Sequence, residues 1–178
     1  MELIVSGFGG QGVLTAGLLC AYVGNEMGKQ VLWSPSYGSE MRGGTANCNV
    51  IISEEETGSP LLAKCDALLA MNEPSVVKFE QSIRPGGLLL LNSSIIPEGC
   101  GSRGDIERYK VAATGIANEA QNPRGANLVM LGGMIRVSGL FEKDYFMEMV
   151  TRYFAEKGIH NPLNVSCIRL GYETVEKV

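Results

Sequence analysis

The sequence predicts an α/β protein: a three-layer α/β/α arrangement around a mainly parallel, Rossmann-like sheet, with residues 1–178 forming one domain. Three observations predict it. Short apolar runs of strand length alternate with segments of helical length, the order that gives parallel strands covered by helices on both faces. A glycine-rich turn stands directly between the first apolar run and the first helical segment. Residues 88–91, four consecutive leucines, read as a strand buried on both sides.

Taken in order, Leu3-Ile4-Val5 is a short strand ending at the glycine turn, and residues 13–27 are a mostly apolar helix closed by Gly28. Residues 30–33 resume as a strand. After a polar loop at 35–44, a third strand covers 46–53, where Asn47 and Asn49 alternate with Cys48 and Val50. Pro60 suits the first position of a short helical turn. Residues 67–71 form a buried strand and 73–83 a helix, then Arg84-Pro85-Gly86-Gly87 turns the chain into the leucine strand. Residues 109–113 supply one more strand, and the rest is largely helical. Within 141–158, Phe141, Tyr145, Phe146, Met149, Val150, Tyr153 and Phe154 recur at helical spacing, while Glu142, Asp144, Glu148, Arg152 and Glu156 take the other face. Acids in its first turn, Lys157 in its last and Gly158 as a stop agree with the helix dipole. Residues 97–104 read as a surface loop, and no domain boundary is drawn.

Composition narrows the function. Hydrophobic residues make up 45% and charged residues 19%, a globular balance. The net charge is −4 and no Lys/Arg run could neutralise a phosphate stripe, so nucleic acid is not an expected partner. The first residues have no basic region ahead of their apolar run, and no apolar stretch reaches the ~20 residues of a spanning helix, so a cytoplasmic protein without a membrane segment is expected. Five cysteines stand far apart without a C-x-x-C pair, which predicts small buried hydrophobes and no bound metal.

Two constellations carry chemistry. Gly7-Phe8-Gly9-Gly10-Gln11-Gly12 fits G-x-G-x-x-G between a strand and a helix, where glycines admit a phosphate and the helix start supplies unpaired N–H groups. The same glycines would serve a plain tight crossing, and both readings stay open. A nicotinamide site also wants an acid at the end of the second strand. Residues 31–35 offer none, and no Gly-Lys-Ser/Thr follows the loop, so the usual nucleotide readings are weak. The second constellation, residues 34–46, follows the second strand at the carboxyl edge of the sheet and so is expected beside the first. Tyr37 offers a ring and a hydroxyl, Arg42 a fork for phosphate or carboxylate, and Glu40 a charge that could face a ligand or simply pair with Arg42. His160, in a His-Asn-Pro loop with no acid or cysteine nearby, reads as a surface residue. Asn127 reads as a helix cap, and Asn92-Ser93-Ser94 as turn formers.

With Gly-Phe-Gly-Gly-Gln-Gly-Val, then Pro-Ser-Tyr-Gly-Ser-Glu-Met-Arg-Gly-Gly, then Val-Ile-Ile-Ser, then Asp66-Ala67-Leu68-Leu69-Ala70-Met71-Asn72, the chain resembles the gamma subunit of 2-oxoacid:ferredoxin oxidoreductases. Gly86-Gly87 before the leucines, residues 112–117 and residues 126–132 extend the resemblance over most of the chain. It implies a complex that converts a 2-oxoacid and coenzyme A to an acyl-CoA and passes electrons to ferredoxin. It also implies thiamine diphosphate, Mg and iron-sulfur clusters on alpha, beta and delta partner subunits, with this chain near the coenzyme A and substrate entrance. On that reading the chain has no catalytic residue and binds no cofactor alone. Gly7, Gly9, Gly10, Gln11 and Gly12, with Ser36, Tyr37, Glu40, Arg42, Gly43 and Gly44, are expected to face the shared cofactor region. An indolepyruvate oxidoreductase subunit and a free-standing nucleotide- or phosphate-binding module remain alternatives, and the 2-oxoacid is left open.

Overall fold

A computed structural model describes residues 1–37, 45–55 and 62–178. Seven strands form one sheet: β1 (Glu2–Phe8), β2 (Gln30–Tyr37), β3 (Thr45–Ser53), β4 (Cys65–Ala70), β5 (Ile83–Asn92), β6 (Glu107–Val111) and β7 (Glu176–Lys177), in spatial order β2-β3-β1-β4-β5-β6-β7. β1, β4, β5 and β6 are mutually parallel along the sheet. β3 runs antiparallel to both β1 and β2, so β2 points the same way as β1, and only β3 and the two-residue β7 oppose the rest. The carboxyl ends of β1, β2, β4, β5 and β6 therefore share one rim.

Helices α1 (Val13–Glu26), α2 (Glu73–Phe79), α3 (Ala113–Glu119), α4 (Ala126–Ser138), α5 (Lys143–Glu156) and α6 (Leu163–Thr174) cover the two faces unequally. Side chains alternate along each strand. Leu3, Val5, Ala67, Leu69 and Leu90 meet the larger core built by α1 and α3–α6, while Ile4, Leu68, Ala70, Leu89 and Leu91 meet a smaller one under Val76 of α2. This is the three-layer α/β/α arrangement read from the sequence. The periodicity over 141–158 forms α5, which buries Phe146, Met149, Val150 and Tyr153. Its first turn is closed by the Glu142 carboxylate, which accepts the Tyr145 N–H at 2.7 Å.

Three local expectations are corrected. β2 does not stop at Trp33: it pairs with β3 through Tyr37, so residues 35–37 are strand rather than loop. Pro35 is tolerated because β2 is an edge strand with one side free of ladder bonds. Residues 84–87 are not a turn before a strand but a bulge within β5. Cys65 pairs with Ile83 and Ala67 with Leu88, so the surplus residues of β5 loop out, and the Arg84 guanidinium there bridges Glu2 and Asp66 at the foot of the sheet. The helix read at 73–83 ends at Phe79 and continues as a 3-10 turn over Glu80–Ser82. Pro60 lies outside the described residues.

The closest helix crossing joins α4 and α6. A Cβ added at Gly132 would overlap the Ile168 carbonyl and stand 2.8 Å from the Tyr172 nitrogen, and one at Gly171 would overlap the Val129 carbonyl. Backbone meets backbone there, a distance only two glycines permit.

Candidate functional site

The rim is built on the turn from β1 to α1. Gly12 caps α1 with φ 73°, and no side chain caps that helix. A Cβ at Gly12 would stand 2.5 Å from Asn127 Nδ2, so the position is closed to other residues twice over, by backbone conformation and by space. Asn127, buried in the first turn of α4, donates from Nδ2 to the Gly12 carbonyl at 3.0 Å, and the same carbonyl accepts the Ala16 N–H at 2.9 Å. Asn127 is not the N-cap residue, since α4 is preceded by Gly125 without a side-chain cap bond; from inside the first turn its Oδ1 accepts the Leu128 N–H at 3.0 Å while its Nδ2 ties α4 to the glycine loop.

Gln11 turns inward. Its Oε1 accepts the Phe8 N–H at 2.7 Å and Asn72 Nδ2 at 3.2 Å, while its Nε2 reaches the Met71 carbonyl at 3.5 Å. Gly7 must lack a side chain because a Cβ there would lie 2.7 Å from Gln11 Oε1 and 2.8 Å from Met71 Cβ. Gly9 and Gly10 form the exposed tip, and Gly10, at φ 96°, has nothing within 4 Å of an added Cβ. Beneath them the hydrogen bonds continue. The Asn72 side chain caps α2 by accepting the Ser75 N–H at 3.0 Å and the Ser75 hydroxyl at 2.7 Å, and the Ser6 hydroxyl donates to Ser75 Oγ at 2.9 Å.

The second segment approaches the same rim. Tyr37 pairs with Ala46, and the next residue back on β3, Thr45, pairs with Phe8 at the mouth of the glycine loop. Ser36 is exposed opposite Asn47. Glu40, Arg42, Gly43 and Gly44 lie outside the described residues. Farther along the rim, Asn92 Oδ1 accepts the Ser94 N–H at 3.3 Å in a local turn, as turn formers do, and the buried Asn92 also donates to Thr114 Oγ1 at 3.0 Å while Ser94 Oγ accepts the Gly115 N–H at 3.0 Å, so both residues reach the start of α3 as well.

Asn72, Ser75 and Ser6 are rim residues that motif reading did not single out as a site, and Asn127 was given a different task. A signal existed for one of them. Asn127 is a lone polar residue opening the apolar run 128–135, and such a residue is buried only with a hydrogen-bond partner.

Other candidates stand apart. His160 is exposed beside a groove of about 250 Å³ between the end of α5 and the start of α6, lined by Phe154, Ile159, Pro162 and Val165. Burial pushes the thiols of Cys20, Cys48 and Cys65 up to about 12, with the Asp66 charge adding to the effect at Cys65. Burial also raises the Cys167 thiol. Among the described residues no three His, Cys, Asp or Glu side chains come together as a metal-binding group, and no helix is long and apolar enough to cross a membrane.

Comparison with known proteins fits this geometry. Residues 2–174 match the family model described as pyruvate ferredoxin/flavodoxin oxidoreductase. The ketoisovalerate oxidoreductase subunit VorA of Methanothermobacter thermautotrophicus is 38% identical over 95% of this chain, which spans 35% of VorA. The chain thus covers about a third of the length of the first curated relatives it matches. The 2-oxoglutarate synthase subunit KorC of Methanocaldococcus jannaschii is 31% identical over 99% of this chain and 95% of its own length. Among solved structures, a keto/oxoacid ferredoxin oxidoreductase gamma subunit from Geobacter sulfurreducens superposes with a TM-score of 0.78 at 30% identity, covering 97% of this chain and 96% of that one. With the family's pattern running nearly end to end and the same fold in a relative of matching length, the chain belongs to the pyruvate ferredoxin/flavodoxin oxidoreductase family.

Proposed function

We propose that residues 1–178 act as one gamma-type domain in a 2-oxoacid:ferredoxin oxidoreductase, an enzyme component inactive alone that helps form the coenzyme A and substrate region of a cytoplasmic complex. The reaction is RCOCOO⁻ + CoA-SH → RCO-S-CoA + CO₂ + H⁺ + 2e⁻, the electrons leaving to two ferredoxins. The observation that carries the reading is the convergence of an exposed Gly9–Gly10 tip and the end of β2 on one rim. Near-complete coverage of a KorC-type subunit supports it.

The rim's described supports are amides and hydroxyls, which hold the loop by hydrogen bonds without themselves taking up a proton. Gly9, Gly10 and the uncapped start of α1 offer backbone donors to an anionic group such as the pyrophosphate of coenzyme A. Ser36 and Tyr37 at the end of β2 border the same opening, and Gly7, Gln11 and Gly12 hold it from below; Glu40, Arg42, Gly43 and Gly44, which follow them in sequence, are proposed to serve the same ligand. Iron-sulfur clusters do not fit this chain's donors: Cys20, Cys48, Cys65 and Cys167 are buried in the cores, where the thiolate a cluster needs is disfavoured. Clusters, thiamine diphosphate and Mg are assigned to alpha, beta and delta partners.

The test is co-purification followed by assay against pyruvate, 2-oxoglutarate, branched-chain and aryl 2-oxoacids with coenzyme A and ferredoxin. The expected result is turnover by the complex and none by the isolated chain. A chain that elutes alone, binds a nucleotide and joins no partner would overturn the reading.

A further inference from the structure

The pairing of β1 with β4 ends abruptly at the rim. Ser6 is opposite Ala70, and the last ladder bond runs from the Met71 N–H to the Ser6 carbonyl at 2.8 Å. In a continuing parallel ladder the next bond would join the Phe8 N–H to the Met71 carbonyl. The structure places the Gln11 carboxamide between those two groups instead. Oε1 accepts from Phe8 at 2.7 Å as a backbone carbonyl would, and Nε2 points at the Met71 carbonyl at 3.5 Å as a backbone N–H would. One side-chain amide thereby stands in for a peptide unit and holds the two strands apart at the rim. The gap falls beside the strand where the chain's connections change direction across the sheet, β2 and β3 lying to one side of β1 and β4 to β6 to the other, the place where open α/β sheets form their ligand crevice.

Such an insertion works only if the carboxamide faces one way. Turned over, it would put an NH₂ against the Phe8 N–H and an oxygen against the Met71 carbonyl. Beside Phe8 and Met71, the side chain that holds this sense is Asn72, whose Nδ2 donates to Gln11 Oε1 at 3.2 Å. Asn72 is itself buried, and its orientation is set because Oδ1 is committed to the Ser75 N–H and hydroxyl, with Ser6 behind Ser75. We infer that Asn72 is a positioning residue: through Gln11 it holds β1 and β4 splayed and sets the Gly9–Gly10 tip toward its ligand. The part concerning the ligand rests on the coenzyme A reading above.

Asn72→Asp separates this role from capping. An aspartate caps α2 as well as asparagine does, but it has no donor for Gln11, and its carboxylate favours Nε2 over Oε1. The carboxamide then turns, and the Phe8 N–H loses its acceptor. In the assembled complex, hydrogen exchange at Phe8 is expected to quicken by about 10-fold or more, and the KM for coenzyme A to rise by about 10-fold with kcat within about twofold, the signature of lost uniform binding. Unchanged exchange at Phe8 overturns the inference, whatever the kinetics. Faster exchange with unchanged KM upholds Asn72's hold on the loop and removes coenzyme A from the rim, so the two readings fail separately. Should Asn72→Asp not assemble, Asn72→Ser, which also caps and also lacks the amide donor, reads the same bond.

Discussion

Replacing Gly132 by alanine tests the helix packing that carries the rim, because α4 holds both Gly132 and, five residues earlier in its first turn, the Asn127 that ties down the glycine loop. An added Cβ would lie 2.8 Å from both the Ile168 carbonyl carbon and the Tyr172 nitrogen. Carbon contacts settle at about 3.5–4.0 Å, and the Ile168 carbonyl oxygen is overlapped outright, so α4 and α6 must part by more than about 1 Å. Backbone cannot step aside as a side chain can, and overpacking of this kind costs about 1–3 kcal/mol, sometimes more. Alanine returns about 1 kcal/mol through its helix preference. Taking the upper part of that range, a net loss of about 2 kcal/mol lowers Tm by roughly 4–8 °C for a chain of this size. Gly133→Ala is the control. The nearest atoms to its Cβ would be side-chain atoms, Leu90 Cδ2 at 3.3 Å and Val175 Cβ at 3.4 Å, so its Tm should stay near wild type. Thermal unfolding followed by circular dichroism compares them directly, and equal Tm values for the two variants would refute the claim of backbone contact at Gly132.

Gly12→Ala forces a side chain into the left-handed region and against Asn127, and should cost about 1–2 kcal/mol, measurable by urea denaturation. Asn127→Ala removes a donor from the Gly12 carbonyl, which keeps its Ala16 bond, and should cost about 1 kcal/mol in the same assay. The N–H groups of Tyr145 and Asp144 hold the Glu142 carboxyl below its ordinary value of 4.5. A depressed folded value means stability present above the unfolded value and lost as pH falls through the folded one. The Tm gap between wild type and Glu142→Ala should therefore be full at neutral pH and close in acid below 4.5, and a gap independent of pH would count against the cap. A thiol reagent at neutral pH should modify the half-buried Cys100 first, and Cys20, Cys48, Cys65 and Cys167 only upon unfolding.

What could be read in the sequence was whatever local chemistry decides. α5 carries its periodicity, its acids and its Gly158 stop within one short segment, and the strand-glycine-helix unit at 2–26 is equally self-contained. Apart from the early end of α2 at Phe79, the misreadings involve partners distant in the chain. Pro35 breaks a central strand but not an edge strand, and β2's place at the edge depends on β3 inserting between it and β1. Arg84-Pro85-Gly86-Gly87 has turn composition, yet pairing with β4 on both sides keeps it inside β5. Asn127 looks like a cap until Gly12, 115 positions away, is brought beneath it. Gln11 belongs to a motif associated with ligand contact, and only the arrival of Met71 and Asn72 beside β1 turns its side chain into part of the sheet.

The groups that shape the loop from below also decide how it answers to acidity. Carboxamides and serine hydroxyls neither gain nor lose protons over any range in which a cell lives, so the cradle under Gly9 and Gly10 keeps one shape from mildly acid to alkaline solution. In the complex proposed above, any rise or fall in rate with pH would then report groups other than this scaffold, and not a softening of it.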